Sequence, residues 1–162
     1  MTSNYDQFLD CLESFDNAML VTSRDDMLRA RPMAIADKSD EGRLWFFSRA
    51  DSGKLDEIRA DSSAAVCMQG SNRFLSVSGT VTVHRDRQKI DDLWHDIQHV
   101  WFPDGKDDPN LRLLEFSPRY AEFWDTAGLN GLKFAFEAVR GVLEGRRPDV
   151  PDEAHGKVVL SE

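Results

Sequence analysis

The stretch Arg43 to Ile58, RLWFFSRADSGKLDEI, constrains the rest of the chain most. Leu44, Trp45, Phe46 and Phe47 form an aromatic run too short for a helix and rich in strand formers, so it predicts a strand. Ser48 to Asp51 turn the chain, and a helix follows with Ser52 as its N-cap and Leu55 and Ile58 on its buried face. Lys54 is the odd residue. It falls in the first helical turn, where the macrodipole and the unpaired N–H groups disfavour a cation. Two readings stay open. Either an anion sits on the helix end and is met by Lys54 with Ser48, Arg49 and Ser52, or Lys54 points into water.

Around this unit the chain alternates strands with a few amphipathic helices. Ser3 with Asp6 marks a helix start, and Tyr5, Phe8, Leu9, Leu12 and Phe15 recur at helical spacing. AMLVTS, Ala18 to Ser23, reads as a strand, Asp25-Asp26 as a turn, and Met27 to Ala36 as a second strand with Leu28, Ala30, Met33 and Ile35 inward. Pro32 removes a ladder donor there, which predicts an edge, a bulge or a break in pairing. Asp37 to Gly42 is a polar turn and Ser63 to Met68 a short buried strand. Arg73 to Arg85 alternates, with Leu75, Val77, Val81 and Val83 on one face and a bend expected at Gly79. Asp86 caps a helix expected to run to about Trp101, with Ile90, Leu93, Trp94, Ile97 and Trp101 on one face. A polar loop, Phe102 to Asn110, leads to two strands, Leu111 to Phe116 and Tyr120 to Trp124, joined at Ser117-Pro118. Asn130-Gly131 introduces a last helix with Leu132, Phe136, Val139 and Leu143 on one face. The division expected is one domain, 1–145, and a C-terminal tail, 146–162, frayed except at Val158-Val159-Leu160.

About seven strands, mostly linked as a meander and without βαβ alternation, argue for an antiparallel barrel or sandwich in the α+β class. At 162 residues the chain suits a single domain with a real core. A net charge of −9 argues against a nucleic-acid partner and against docking on an anionic membrane. No apolar run has transmembrane length and no secretory signal is visible, so the expected compartment is the cytoplasm. Cys11 and Cys67 then read as reduced thiols, Cys67 as an inert core cysteine within a strand.

Motifs for independent chemistry are weak. His95 and His99 lie four apart, as helical metal ligands can, but HDIQH lacks the Glu of a zincin and a third ligand, and solvated histidines are the favoured reading. No GxSxG, GxGxxG or P-loop occurs. Trp101 and Trp124, near loop or strand ends, are the better candidates for stacking on an aromatic ligand.

Laid end to end, several pieces resemble one family. They are AMLVTS, RPM at Arg31 to Met33, LWFFS, SGK at Ser52 to Lys54, VSGTVTV, DRQKIDDLW, WFPDGKDDPNLRLL and AEFWD. Their order and spacing are similar to the general stress protein group of the pyridoxamine-5'-phosphate-oxidase-like, FMN-binding split barrels, from about Phe8 to Leu143. The resemblance implies an antiparallel split β-barrel with flanking helices, in a homodimer that binds FMN, or FAD, at the subunit interface. It implies Arg31, Ser52 and Lys54 on the flavin phosphate with Ser48 in support. It implies Pro32, Met33, Ala34 and Phe47 along the isoalloxazine ring, with Gln69 as a further contact and Trp124 or a partner's Trp101 closing the pocket. The function implied is a flavin-binding stress protein acting as an oxidoreductase on a small substrate. A non-catalytic flavin store and a ligand-free dimeric interaction module are the alternatives. The basic clamp for pyridoxamine phosphate is not evident: Arg146-Arg147 and His155 fall in the tail, so that oxidase activity is not expected.

Overall fold

A computed structural model describes residues 3–145 and 154–161. Its frame is an eight-stranded antiparallel sheet, curled into a half-barrel and flanked by four α-helices. The strands are β1 (Asn17–Arg24), β2 (Met27–Ala34), β3 (Asp37–Lys38), β4 (Leu44–Arg49), β5 (Ser63–Gln69), β6 (Arg73–His84), β7 (Leu111–Asp125) and β8 (His155–Val159). The helices are α1 (Asn4–Glu13), α2 (Gly53–Ala60), α3 (Arg87–Leu93) and α4 (Gly128–Glu144). Neighbours across the sheet run β2-β1-β5-β6-β7-β4-β3, with β8 also on β7.

Local chemistry explains the element boundaries. Ser3 and Asp6 form a capping box that starts α1. Asp25 and Asp26 both take positive φ, 50° and 61°, as a two-residue hairpin turn between right-twisted strands requires. Asp86 accepts from the backbone N–H of Gln88 and Lys89 and starts α3. The concave face of the sheet, with Leu20, Phe46, Val66, Val77 and Phe116, packs against Phe8 and Leu12 of α1 and Leu55 and Ile58 of α2. A second core lies on the other face of β4 and β7, where Trp45, Phe47, Leu111 and Leu113 are covered by Ile90 of α3 and by Phe102. The aromatic run therefore splits by parity, Phe46 to one core and Trp45 and Phe47 to the other.

Several expectations are corrected. The two strands expected at 111–124 are one strand. Its first part, Leu111 to Phe116, pairs with β4, and its last part, Tyr120 to Trp124, pairs with β8. Pro118 stands where the partner changes, so its missing N–H interrupts neither of those ladders. Opposite it, the register with β6 shifts between Ser78 and Gly79. The bend expected at Gly79 is thus real, and a Cβ there would lie 2.1 Å from the Ser117 carbonyl oxygen.

Along Met27 to Ala36, Met33 and Ile35 pack on the main core as expected, but the start of β2 is in the opposite phase: Leu28 is 78% exposed and Ala30 is exposed, while Arg29 and Arg31 reach a buried carboxylate. Of the outcomes expected from Pro32, the structure shows the edge: β2 pairs with β1 alone, in unbroken register. The helix expected to reach Trp101 stops at Leu93. Trp94 and His95 are extended, and a short 3-10 helix, Asp96–Val100, follows. Trp94 turns its ring edge-on to Phe47, 5.6 Å between centroids, which leaves Ile97 and Trp101 exposed. Cys67 lies on the outer face of β5 and is exposed, not buried in the core. The tail is ordered further back than expected, because β8 begins at His155. Arg146 and Arg147 lie outside the described residues.

Candidate functional site

The cationic site is built where β4 ends and α2 begins. Ser48 is the last buried residue of β4, and Arg49 to Ser52 turn the chain into α2. Ser52 occupies the N-cap, yet its side chain caps nothing. Instead Lys54 Nζ donates to Ser52 Oγ at 2.7 Å and to Ser48 Oγ at 3.1 Å. A Cβ on Gly53 would meet nothing within 4 Å, so the helix end faces open space. Burial, with the nearby Arg31 guanidinium, lowers the Lys54 ammonium below its ordinary value, while Glu57 opposes the shift.

Arg31 arrives from the facing edge. On β2, Arg29 and Arg31 are two residues apart and point to the same side. Arg31 donates to Glu57 Oε2 at 2.6 Å and to Thr22 Oγ1, and Arg29 donates to Glu57 Oε1 at 3.0 Å. Thr22 donates to the same carboxylate. Burial raises the Glu57 carboxyl, but the bonds from Thr22, Arg31 and Arg29 outweigh it and hold the group below the usual carboxylate range. Glu57 is thus a buried anion that anchors Arg31, and through it the site keeps two cations around one carboxylate. Ser48, Ser52, Lys54 and Arg31 come together as one cluster with oriented hydroxyls and a surplus of positive charge. Chemically, such a cluster at a helix N-terminus can receive an anion.

Glu57, Thr22 and Arg29 were missed in the sequence. The signals were there: Glu57 is three residues after Lys54 and beside Ile58 on the helix, and Arg29 shares the strand parity of Arg31.

The other sequence candidates lie on several walls. Pro32 and Ala34 are exposed on the edge strand, and Met33 packs against the main core. Phe47 is buried in the second core, its ring edge-on to Trp94 and Phe102. Gln69 lines a cleft of about 420 Å³ with Asn17, Asn72 and Arg73, away from the Lys54 cluster. Trp101 is 70% exposed at the end of the 3-10 helix. Trp124 stacks on His155 at 5.2 Å and 14°, and His155 Nε2 lies 2.8 Å from Glu122 Oε1. Among the described residues no group of three or more His, Cys, Asp or Glu converges as a metal site, and His95 and His99 do not share an α-helix. No described helix is long and apolar enough to cross a membrane.

The sequence model of the family described as pyridoxamine 5'-phosphate oxidase like matches residues 3–149. The chain belongs to that family. Among curated proteins none matches this sequence. A structure described as a general stress protein 26 from Jannaschia sp. CCS1 is 26% identical, with a TM-score of 0.72 over 94% of this chain and 96% of that one. A general stress family protein from Xanthomonas campestris pv. campestris is 28% identical, with a TM-score of 0.68 over 79% of this chain and 92% of its own. A general stress FMN/FAD binding protein from Xanthomonas citri is 27% identical, with a TM-score of 0.66 over 75% and 88%. The split barrel implied by the sequence pieces is the fold observed for this family member.

Proposed function

We propose that this family member is a flavin-binding general stress protein that holds the flavin phosphate on Arg31, Ser48, Ser52 and Lys54. The observation that carries the reading is the Lys54 ammonium, half-buried against two serine hydroxyls at an uncapped helix end, with Arg31 beside it. The donor set fits the group: two cations, two hydroxyls and free helical N–H groups suit a phosphate dianion. The Xanthomonas citri neighbour, described as an FMN/FAD binding protein, supports the same ligand class. When bound, flavin supplies the redox chemistry, and the protein binds and orients it. No described side chain is placed as a general acid or base, so the reading is an oxidoreductase only in so far as flavin turns over a small substrate here. We assign the protein no pyridoxamine phosphate oxidase activity and place it in the cytoplasm, in keeping with two free cysteines.

The same reading includes a homodimer with flavin between subunits. Its support is the outer face of the sheet, where Met19, Phe74, Tyr120, Trp124 and Val159 are exposed on neighbouring strands. A monomer leaves that apolar face in water.

The test compares FMN with riboflavin, which lacks the phosphate. Lys54→Ala and Arg31→Ala are expected to weaken FMN by about 1.5–3 kcal/mol per lost charge-assisted contact and riboflavin far less. Equal losses for both ligands would sink the assignment. The pH dependence has a sign. Free Lys54 loses its proton below the ordinary lysine range, and a phosphate favours the charged form, so FMN affinity falls as pH rises through that lowered value.

A further inference from the structure

A second cluster of cations stands next to the first. Arg112 of β7 pairs directly across the ladder from Ser48, the hydroxyl that accepts from Lys54. Directly opposed residues share a face about 4.5–5.5 Å apart, so the Arg112 side chain leaves the sheet on the side of the phosphate site. On its other flank β6 ends at His84, which pairs with Leu113, and the chain therefore carries Arg85 past Arg112. Arg87 opens α3, and Arg59 comes from the last turn of α2.

These arginines are short of counter-charge. Arg112 Nη1 donates to the carbonyls of Pro109 at 2.8 Å and Leu111 at 2.7 Å, and its buried Nε has no partner. Arg87 also donates to carbonyls only, those of Lys106 at 3.1 Å and Asp108 at 2.9 Å. Arg85 makes no ion pair or side-chain hydrogen bond among the described residues. Arg59 is paired with Asp56 at 3.0 Å. Asp108, the carboxylate that acts on Arg112, is engaged by Arg49 at 3.4 Å and by the Asn110 N–H at 2.8 Å. Burial, then Arg85, Arg87 and Arg59, push the Arg112 guanidinium below its ordinary value, against a smaller pull from Asp108. Four arginines gathered in a chain of net charge −9, three of them without a carboxylate of their own, leave a local surplus of positive charge that an anion can meet.

We propose that Arg112, with Arg85, Arg87 and Arg59, forms a second phosphate subsite that receives the outer phosphate of a dinucleotide flavin, so that the protein selects FAD over FMN. The adjacency carries the choice of ligand. Ser48 and Arg112 are cross-strand neighbours, and the two phosphates of a pyrophosphate are joined through one oxygen, so one ligand spans both clusters. This inference rests on the first cluster holding the inner flavin phosphate.

The experiment is a set of binding titrations of the full chain with riboflavin, FMN and FAD, followed by flavin fluorescence. Lys54→Ala, Arg85→Ala and Arg112→Gln are compared with the parent. Arg85→Ala changes an exposed side chain and keeps a readout if Arg112→Gln disturbs folding. The parent is expected to bind FAD at least about tenfold more tightly than FMN, the scale of one charge-assisted contact. The Arg85 and Arg112 variants should lose that margin while FMN stays within about twofold, and Lys54→Ala should weaken FMN and FAD alike. Loss of FMN and FAD together in the Arg85 and Arg112 variants would merge the two clusters into one site and overturn the second subsite alone. Equal binding of FMN and FAD by the parent, with inorganic phosphate binding to the FMN-loaded protein, would assign the arginines to a separate anion and overturn the dinucleotide. Absence of any flavin binding would refute the proposed function first, and this inference with it.

Discussion

Glu57 holds a full negative charge at 1% exposure because Thr22, Arg29 and Arg31 all donate to it. A lone carboxylate there would be protonated; the three donors reverse that balance. Its folded pKa is depressed, so its contribution to stability is present above the unfolded value near 4.5 and is lost as pH falls through the lower folded value. Glu57→Gln keeps the shape and removes the charge. It should cost about 3 kcal/mol, the low end for a broken buried pair, because the side chains of Arg29 and Arg31 keep 48% and 21% exposure. The melting temperature should fall at neutral pH, and the difference from the parent should shrink in acid. A variant as stable as the parent at pH 7 would show that the carboxylate is not what holds Arg31. None of this was evident from composition, since Glu57 reads as one more charge on a polar helix.

At the scale of the element, β7 is the backbone of the sheet. It pairs with β6 from Leu113 to Asp125, with β4 through its first part and with β8 through its last. A strand shared in this way must bend, and the bend is placed where Gly79 of β6 meets Ser117-Pro118. Gly79→Ala would push a methyl onto the Ser117 carbonyl oxygen and the Phe116 ring. Backbone cannot step aside as a side chain can, so the cost should be about 1–3 kcal/mol. A urea titration is expected to show a lower midpoint with an unchanged slope. An unchanged midpoint would mean the bend has slack that the geometry denies. The glycine pointed to the bend in advance, but Pro118 misled: read alone it breaks a strand, whereas here it sits at a change of partner.

For the molecule as a whole, the unsatisfied feature is apolar surface. Phe74 pairs with Trp124 across β6 and β7 on the outer face, and Leu132, Phe136, Val139 and Leu143 of α4 are exposed along one side of that helix. Surface of this kind is covered in a stable assembly. Sedimentation equilibrium should give twice the chain mass of 18.4 kDa, and Trp124→Glu should shift the population toward the single chain. A parent protein that sediments as one chain at micromolar concentration, with flavin bound, would contradict the homodimer.

What the sequence determined by itself was local. Apolar runs and alternation located six of the strands, capping residues marked the starts of α1, α2 and α3, and a lysine in the first turn of α2 pointed to the candidate site. These signals depend on neighbours a few residues away, so they survive without the fold. Tertiary structure decided what depends on distant partners. It set the phase of β2, because inward arginines are tolerated only where Glu57 waits inside. It ended α3 at Leu93, where Trp94 leaves the helix and sets its ring edge-on to Phe47. It also placed Arg112 beside Ser48, 64 positions apart along the chain, since only a cross-strand register can bring such residues together.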